Sequence, residues 1–139
     1  MASKIRDVMT PAPITLSERQ TAADAARMMK ECDVGDVLVC SEDGRLSGIV
    51  TDRDLVVRCL ADGRDGNATL RELCTPGVNT LEPGASIDDA VALMRSCAVR
   101  RIPVVENGDL VGIVSLGDLA RERDPDSALG RISAAPATA

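Results

Sequence analysis

Two short stretches have residues whose types and spacing suit binding chemistry. Gly48–Asp54 reads GIVTDRD and Gly112–Asp118 reads GIVSLGD, so Thr51 and Ser115 each stand three residues before an aspartate, Asp54 or Asp118. A hydroxyl so placed is a helix-start signal, with the side chain capping an amide and the acid reaching back. The same carboxylate has a second use. Asp reaches back less well than Glu or Gln, yet both copies use Asp. A short carboxylate at a helix start accepts two hydroxyl donors at once, as a vicinal ribose diol offers. The helix amino end also favours a phosphate beside it. Residue types leave both uses open.

Arg100-Arg101 is the next candidate. One reading is a solvated pair before an edge strand, with ion pairs worth under about 1 kcal/mol. The other is a phosphate clamp, because the planar guanidinium donates two parallel hydrogen bonds. Gly48 and Gly112 each weaken a strand interior, which points either to a bulge or tight packing or to close approach by a ligand.

No catalytic set accompanies these residues. The chain has no histidine, no Ser or Cys paired with a base, and neither a GxGxxG nor a GxxxxGK(S/T) loop. The five cysteines (Cys32, Cys40, Cys59, Cys74 and Cys97) form no CxxC. Zinc would need scattered thiolates, so no metal site is expected, and the thiols read as small hydrophobes. With 139 residues, one compact domain is the default. Aromatic content is 0%, so the core rests on aliphatic side chains and no base can stack on a ring. A net charge of -6 opposes binding to nucleic acid or an anionic membrane. No apolar run approaches the length of a membrane span, and the N-terminus lacks a signal-peptide core. The expected location is the cytoplasm.

The elements that position these residues come in duplicate. At a shift of 65, IRDVMTP (Ile5–Pro11) lies on LRELCTP (Leu70–Pro76), Asp24-Ala25 on Asp89-Ala90, and Cys32 on Cys97. One residue is then lost in a turn, and at a shift of 64 Gly48 to Leu55 lies on Gly112 to Leu119. Thr21 and Ser86 start helices whose apolar faces are Ala22, Ala25, Ala26, Met29 and Ile87, Ala90, Val91, Met94. Extended segments are expected at Ile14–Leu16 and Asn79–Leu81. Strand pairs are expected at Val37–Cys40 with Leu46–Val50 and at Ile102–Val105 with Leu110–Val114. Second helices follow at Asp52–Leu60 and Leu116–Arg123. The order is β-α-β-β-α, twice. Ala61–Ala68 is the linker, and the tail from Pro125 is expected to be mobile.

This duplicated order, with Val99-Arg100-Arg101-Ile102-Pro103-Val104-Val105 and both Gly-Ile-Val-(Thr/Ser)-x-x-Asp segments, resembles the CBS domain family. In that family two repeats pair into a Bateman module. The resemblance covers about Ile5 to Arg123. It implies an α+β fold of two pseudo-symmetric repeats, residues 1–64 and 65–124, packed sheet to sheet, with 125–139 as a flexible tail.

The resemblance also implies two clefts between the repeats. The first would join Ile49, Thr51 and Asp54 to Val78, Asn79, Arg100, Arg101 and Pro103. The second would join Ile113, Ser115 and Asp118 to Pro13, Ile14, Gly35, Asp36 and Val37. Asp36 stands where a phosphate would want a cation, so the first cleft is the expected site for an adenosine-containing ligand: AMP, ADP, ATP or S-adenosylmethionine. Charge-assisted hydrogen bonds of about 1.5–3 kcal/mol each would support micromolar binding after ordering costs. The implied function is a regulatory module, not an enzyme, with no required cofactor. It would act as a homodimer and signal to a separate effector protein. Two alternatives are a ligand-free dimerisation scaffold and a thiol-responsive stress protein using Cys32 and Cys97.

Overall fold

Helix-start chemistry frames both repeats. In the computed structural model, which describes residues 3–124 and 126–135, the Thr21 hydroxyl accepts from the Asp24 amide. Asp24 Oδ2 in turn accepts from the Thr21 amide at 3.0 Å, opening α2 (Ala22–Cys32). Ser86 and Asp89 repeat the exchange at 3.0 Å each way and open α5 (Ile87–Cys97). Both helices end on a left-handed residue, Asp33 and Ala98, each at φ 54°. The faces turned inward are Ala22, Ala25, Met29 and Ile87, Ala90, Met94, as the spacing predicts. Ala26 instead faces solvent, and Val91 is half-buried.

The chain divides into two compact units, Pro13–Val78 and Met1–Ala12 with Asn79–Ala139. In the first, β2 (Thr15–Ser17), β3 (Asp36–Cys40) and β4 (Leu46–Thr51) form a sheet in that order, β2 parallel and β4 antiparallel to β3. Thr75 then bridges β4 at Ile49. In the second, β1 (Thr10–Pro11), β6 (Asp109–Ser115) and β5 (Arg101–Glu106) form the sheet, and Leu81 bridges β5 at Val104 in parallel. The two sheets therefore run in matching order: an extended lead segment, a hairpin, then a Thr-Pro segment.

That Thr-Pro segment comes from the start of the other repeat. α1 (Ile5–Val8) precedes β1 and places Ile5, fully buried, among Ile87, Ala90, Met94, Ile102 and Val114. α4 (Leu70–Leu73) places Leu70 and Leu73 among Leu16, Ala25, Met29, Val37 and Val50. Each unit has its own aliphatic cluster. The matched segments are thus equivalent in role, and the unit boundaries fall near 12 and 78, not between the sequence repeats.

The hairpins explain the one-residue gap. β5 and β6 join through Asn107 and Gly108 at φ 53° and 87°, between the paired Glu106 and Asp109. A two-residue turn with both φ positive matches strand twist, and Asn-Gly is its preferred sequence. β3 and β4 join through the longer Ser41–Arg45 loop, with Gly44 at φ 82°.

The second helices differ. α6 (Leu116–Arg123) is α-helical throughout. Its counterpart begins as α3 (Asp52–Asp54) and continues as a π-helix over Leu55–Leu60, in which the Ala61 amide reaches back five residues to the Val56 carbonyl. In the C-terminal stretch expected to be a mobile tail, α7 (Ala128–Ala134) starts at Ser127, whose hydroxyl accepts from the Gly130 amide at 3.0 Å. Residues 125 and 136–139 of that stretch lie outside the described residues.

Candidate functional site

Each candidate acid sits where a strand ends and a helix begins. Thr51 closes β4, its amide donates to Asp54 Oδ2 at 2.9 Å, and the Asp54 amide donates back to the Thr51 hydroxyl at 3.1 Å. Ser115 closes β6 and makes the same exchange with Asp118 at 2.8 and 3.1 Å. The capping use of both pairs is therefore present in the fold. It consumes one oxygen of each carboxylate.

The second oxygens differ. Asp118 Oδ1 accepts from the Arg121 guanidinium, and Asp118 is 9% exposed. At the position matching Arg121 stands Val57. Among the described residues, Asp54 Oδ1 has no hydrogen-bond or ion-pair partner, and Asp54 is half-buried.

The register fixes what faces each hydroxyl. Asp36 pairs with Thr51 across β3 and β4, and the Asp52 amide donates to the Gly35 carbonyl at 3.0 Å. Arg101 pairs with Ser115 across β5 and β6, and the Leu116 amide donates to the Arg100 carbonyl at 2.8 Å. One unit thus gathers Asp36, Asp52 and Asp54 at its strand–helix junction. The other gathers Arg100, Arg101, Asp118 and Arg121 there. Arg100 and Arg101 are exposed.

The remaining candidates fall around these junctions. Ile14 lends its carbonyl to the Leu38 amide at 3.4 Å, just before β2, with Pro13 preceding it. Val37 and Pro103 are buried in β3 and β5, and Ile113 is buried in β6. The Pro103 carbonyl accepts from the Leu81 amide at 3.0 Å. Ile49 has both main-chain groups tied to Thr75. Asn79 donates its side-chain amide to the Cys97 thiol at 3.1 Å, and Val78 ends the first unit, half-buried. Ile49, Thr51, Asp54 and Val78 belong to one unit and Asn79, Arg100, Arg101 and Pro103 to the other.

Gly48 and Gly112 have a packing explanation. A Cβ at Gly48 would drive into the Thr75 carbonyl oxygen and reach the Cys74 thiol at 3.0 Å. One at Gly112 would meet the Met9 sulfur and the Thr10 carbonyl oxygen. The Thr-Pro segments fill the space that a close-approaching ligand would have needed. The mismatch of Arg121 with Val57 is visible at the shift of 64 that lays Asp54 on Asp118, although neither residue belongs to the Gly-Ile-Val-(Thr/Ser)-x-x-Asp segments.

Cys59 and Cys74 are buried, Cys40 and Cys97 half-buried and Cys32 exposed. Burial pushes the Cys40 and Cys74 thiols above their ordinary value. Among the described residues, no group of three or more metal-ligating side chains is placed to hold an ion. No helix among them is long and apolar enough to cross a membrane.

Comparison with known proteins agrees with this architecture. The CBS domain family model matches residues 5–60 and again 70–124. The CBS domain-containing protein YhcV of Bacillus subtilis is 42% identical over 118 residues, 85% of this chain and 84% of that protein. Hypoxic response protein 1 of Mycobacterium tuberculosis is 40% identical over 117 residues, 84% of this chain and 82% of that protein. A crystal structure of Hypoxic Response Protein I with two coordinated zinc ions superposes with a TM-score of 0.80 at 39% identity, covering 86% of this chain and 98% of that one. CBSX2 in complex with AMP superposes at 0.75 with 25% identity, covering 86% and 94%. Two matches to one family model, spanning most of the sequence and each holding a capped Ser/Thr-x-x-Asp junction, mean that the chain belongs to the CBS domain family as a tandem pair.

Proposed function

We propose that this CBS pair is a ligand-sensing regulatory module, not an enzyme, and that Asp54 receives the ribose diol of an adenosine-containing ligand. The observation that carries this reading is the Asp54 carboxylate. One oxygen is held by the Thr51 amide at 2.9 Å, which fixes the group, while the other has no partner among the described residues. A fixed, half-buried acceptor at a helix start suits paired hydroxyl donors. Arg100 and Arg101 are exposed and have the chemistry to hold a phosphate. The AMP complex of a structural relative supports the ligand class. AMP, ADP, ATP and S-adenosylmethionine all carry the required diol.

The second acid position is the weaker site in this reading, since the family resemblance assigns it Asp36 at the place where it assigns Arg101 to the first. Output passes to a separate effector protein or through a homodimer. The exposed Val56, Val57 and Leu60 suit such an interface. Coupling of this kind is worth about 1–3 kcal/mol.

The test is calorimetric titration with AMP, ATP and S-adenosylmethionine on the natural chain and on Asp54→Asn, Asp118→Asn and Arg100→Ala. Asn keeps the cap geometry and removes the charge. Micromolar binding lost in Asp54→Asn and weakened in Arg100→Ala is expected. Binding that survives Asp54→Asn and is lost in Asp118→Asn would reverse the site assignment.

A further inference from the structure

The two acids are matched in sequence and in capping, yet among the described residues Asp118 has a guanidinium on its second oxygen and Asp54 has none. Arg121 lies one helical turn beyond Asp118, and its guanidinium donates to Asp118 Oδ1 while Oδ2 serves the Ser115 amide. Both carboxylate oxygens are thereby engaged, and the acid is 9% exposed. The matching residue after Asp54 is Val57, apolar and 46% exposed. A valine donates no hydrogen bond, so Asp54 Oδ1 keeps its acceptor capacity.

We infer that Arg121 is the residue that makes the two acid positions inequivalent: it occupies Asp118 as an internal substitute for a ligand's hydroxyl donors and leaves Asp54 as the ligand acid. This rests on the adenosine-ligand reading above. A diol arriving at Asp118 must displace an ion-paired guanidinium, and its uncharged hydroxyl donors do not replace the attraction between opposite charges that is lost. At Asp54 Oδ1 no partner among the described residues has to be displaced. The cap does not depend on Arg121, because the Ser115–Asp118 exchange uses the other oxygen and the main chain. Removing the guanidinium therefore frees the acceptor without removing the helix start.

The experiment is calorimetric titration with AMP, reading the number of sites per chain. The natural chain is expected to bind one AMP, lost in Asp54→Asn. Arg121→Val, which copies the other repeat, is expected to bind one more, and the added site is expected to vanish in Arg121→Val with Asp118→Asn. Val57→Arg is expected to weaken the Asp54 site at least about tenfold. An Arg121→Val chain that binds no more AMP than the natural chain overturns the inference. So does a Val57→Arg chain with unchanged affinity. Far-UV circular dichroism checks the fold, and Arg121→Met, which also donates no side-chain hydrogen bond, replaces Arg121→Val should the valine variant not fold. A natural chain that binds no AMP defeats the Asp54 reading alone. The role of Arg121 is then still decided by whether its replacement creates a site that depends on Asp118.

Discussion

The Thr75 amide donates to the Ile49 carbonyl at 2.9 Å, and the Ile49 amide donates to the Thr75 carbonyl at 3.2 Å. This reciprocal pair lays the Cys74–Pro76 segment along β4 directly over Gly48. Thr10 and Pro11 lie along β6 at Ile113 and Gly112 in the same way. Each glycine is therefore a gap cut for a backbone segment from the start of the other repeat.

Replacing Gly48 by Ala is expected to destabilise the protein by about 1–3 kcal/mol, the usual cost of overpacking. The obstacle is a main-chain carbonyl, which cannot swing aside. Gly112→Ala is expected to cost less, because its nearest obstacle is the flexible Met9 side chain. Urea unfolding followed by circular dichroism measures both. Equal losses would show that Met9 is as fixed as the Thr75 carbonyl.

Ala98 ends α5 at φ 54°, a conformation that costs a side-chain-bearing residue about 1–2 kcal/mol. Ala98→Gly is expected to stabilise by about 1 kcal/mol after the added unfolded-state freedom of glycine is subtracted. Asp33, at the same point of α2, belongs to a residue type that tolerates this region. Asp33→Gly is expected to gain less. Thermal unfolding at 222 nm reads the difference.

The caps carry an acid dependence. The Thr21 amide holds the Asp24 carboxyl below its ordinary 3.8, and the Ser86 amide does the same for Asp89. A lowered folded value means that the unfolded state binds the proton more readily. The stabilisation is present above the ordinary value and is lost as pH falls through the lower folded one. Stability is expected to fall between about pH 5 and 2. The Asp24→Asn, Asp89→Asn double variant should flatten that slope. An unchanged slope would place the acid sensitivity elsewhere, for example at Glu72, whose carboxyl the Arg64 guanidinium also holds low.

Thiol accessibility should follow burial. Cys32 is expected to react first with an aromatic disulfide reagent. Cys40 and Cys97 should follow, with Cys40 slowed because burial raises its thiol. Cys59 and Cys74 should react only on unfolding. Mass spectrometry after timed quenching gives the order, and early labelling of Cys59 would mean that the π-helix opens easily.

Local structure was legible in the sequence because its causes are local. Thr21, Ser86, Thr51 and Ser115 mark four helix starts in the sequence, and the strand pair Ile102–Val105 with Leu110–Val114 is legible from its apolar runs. Which copy a Thr-Pro segment would join was not legible. IRDVMTP and LRELCTP carry the same pattern, and pairing between distant segments leaves no mark at either one. The π-helix was hidden for a related reason. Leu55–Leu60 has an ordinary helical composition, and its contacts with the core, through buried Cys59 and half-buried Leu55, are with residues distant in sequence. Gly48 and Gly112 stand out in the sequence, but their reason lies in backbone far away along the chain. At the site, the acids and arginines could be named from sequence. The occupancy of Asp118 by Arg121 depends on the side-chain geometry of α6, which spacing alone does not fix.

Ligand-linked stability is the most direct test of the Asp54 oxygen that has no partner among the described residues. A ligand that binds only the folded state stabilises it by about 2.7 kcal/mol at one hundred times its dissociation constant. AMP at that excess should raise the thermal midpoint of the natural chain and of Asp118→Asn by similar amounts. It should leave Asp54→Asn unmoved, although the asparagine side chain in that variant would still accept from the Thr51 amide. Loss of the shift without loss of the cap separates ligand binding from helix starting. With no Trp or Tyr in the chain, circular dichroism or an extrinsic dye supplies the signal. An equal shift in all three proteins would put the ligand away from both acids. The Thr51–Asp54 exchange would then be a helix start and nothing more.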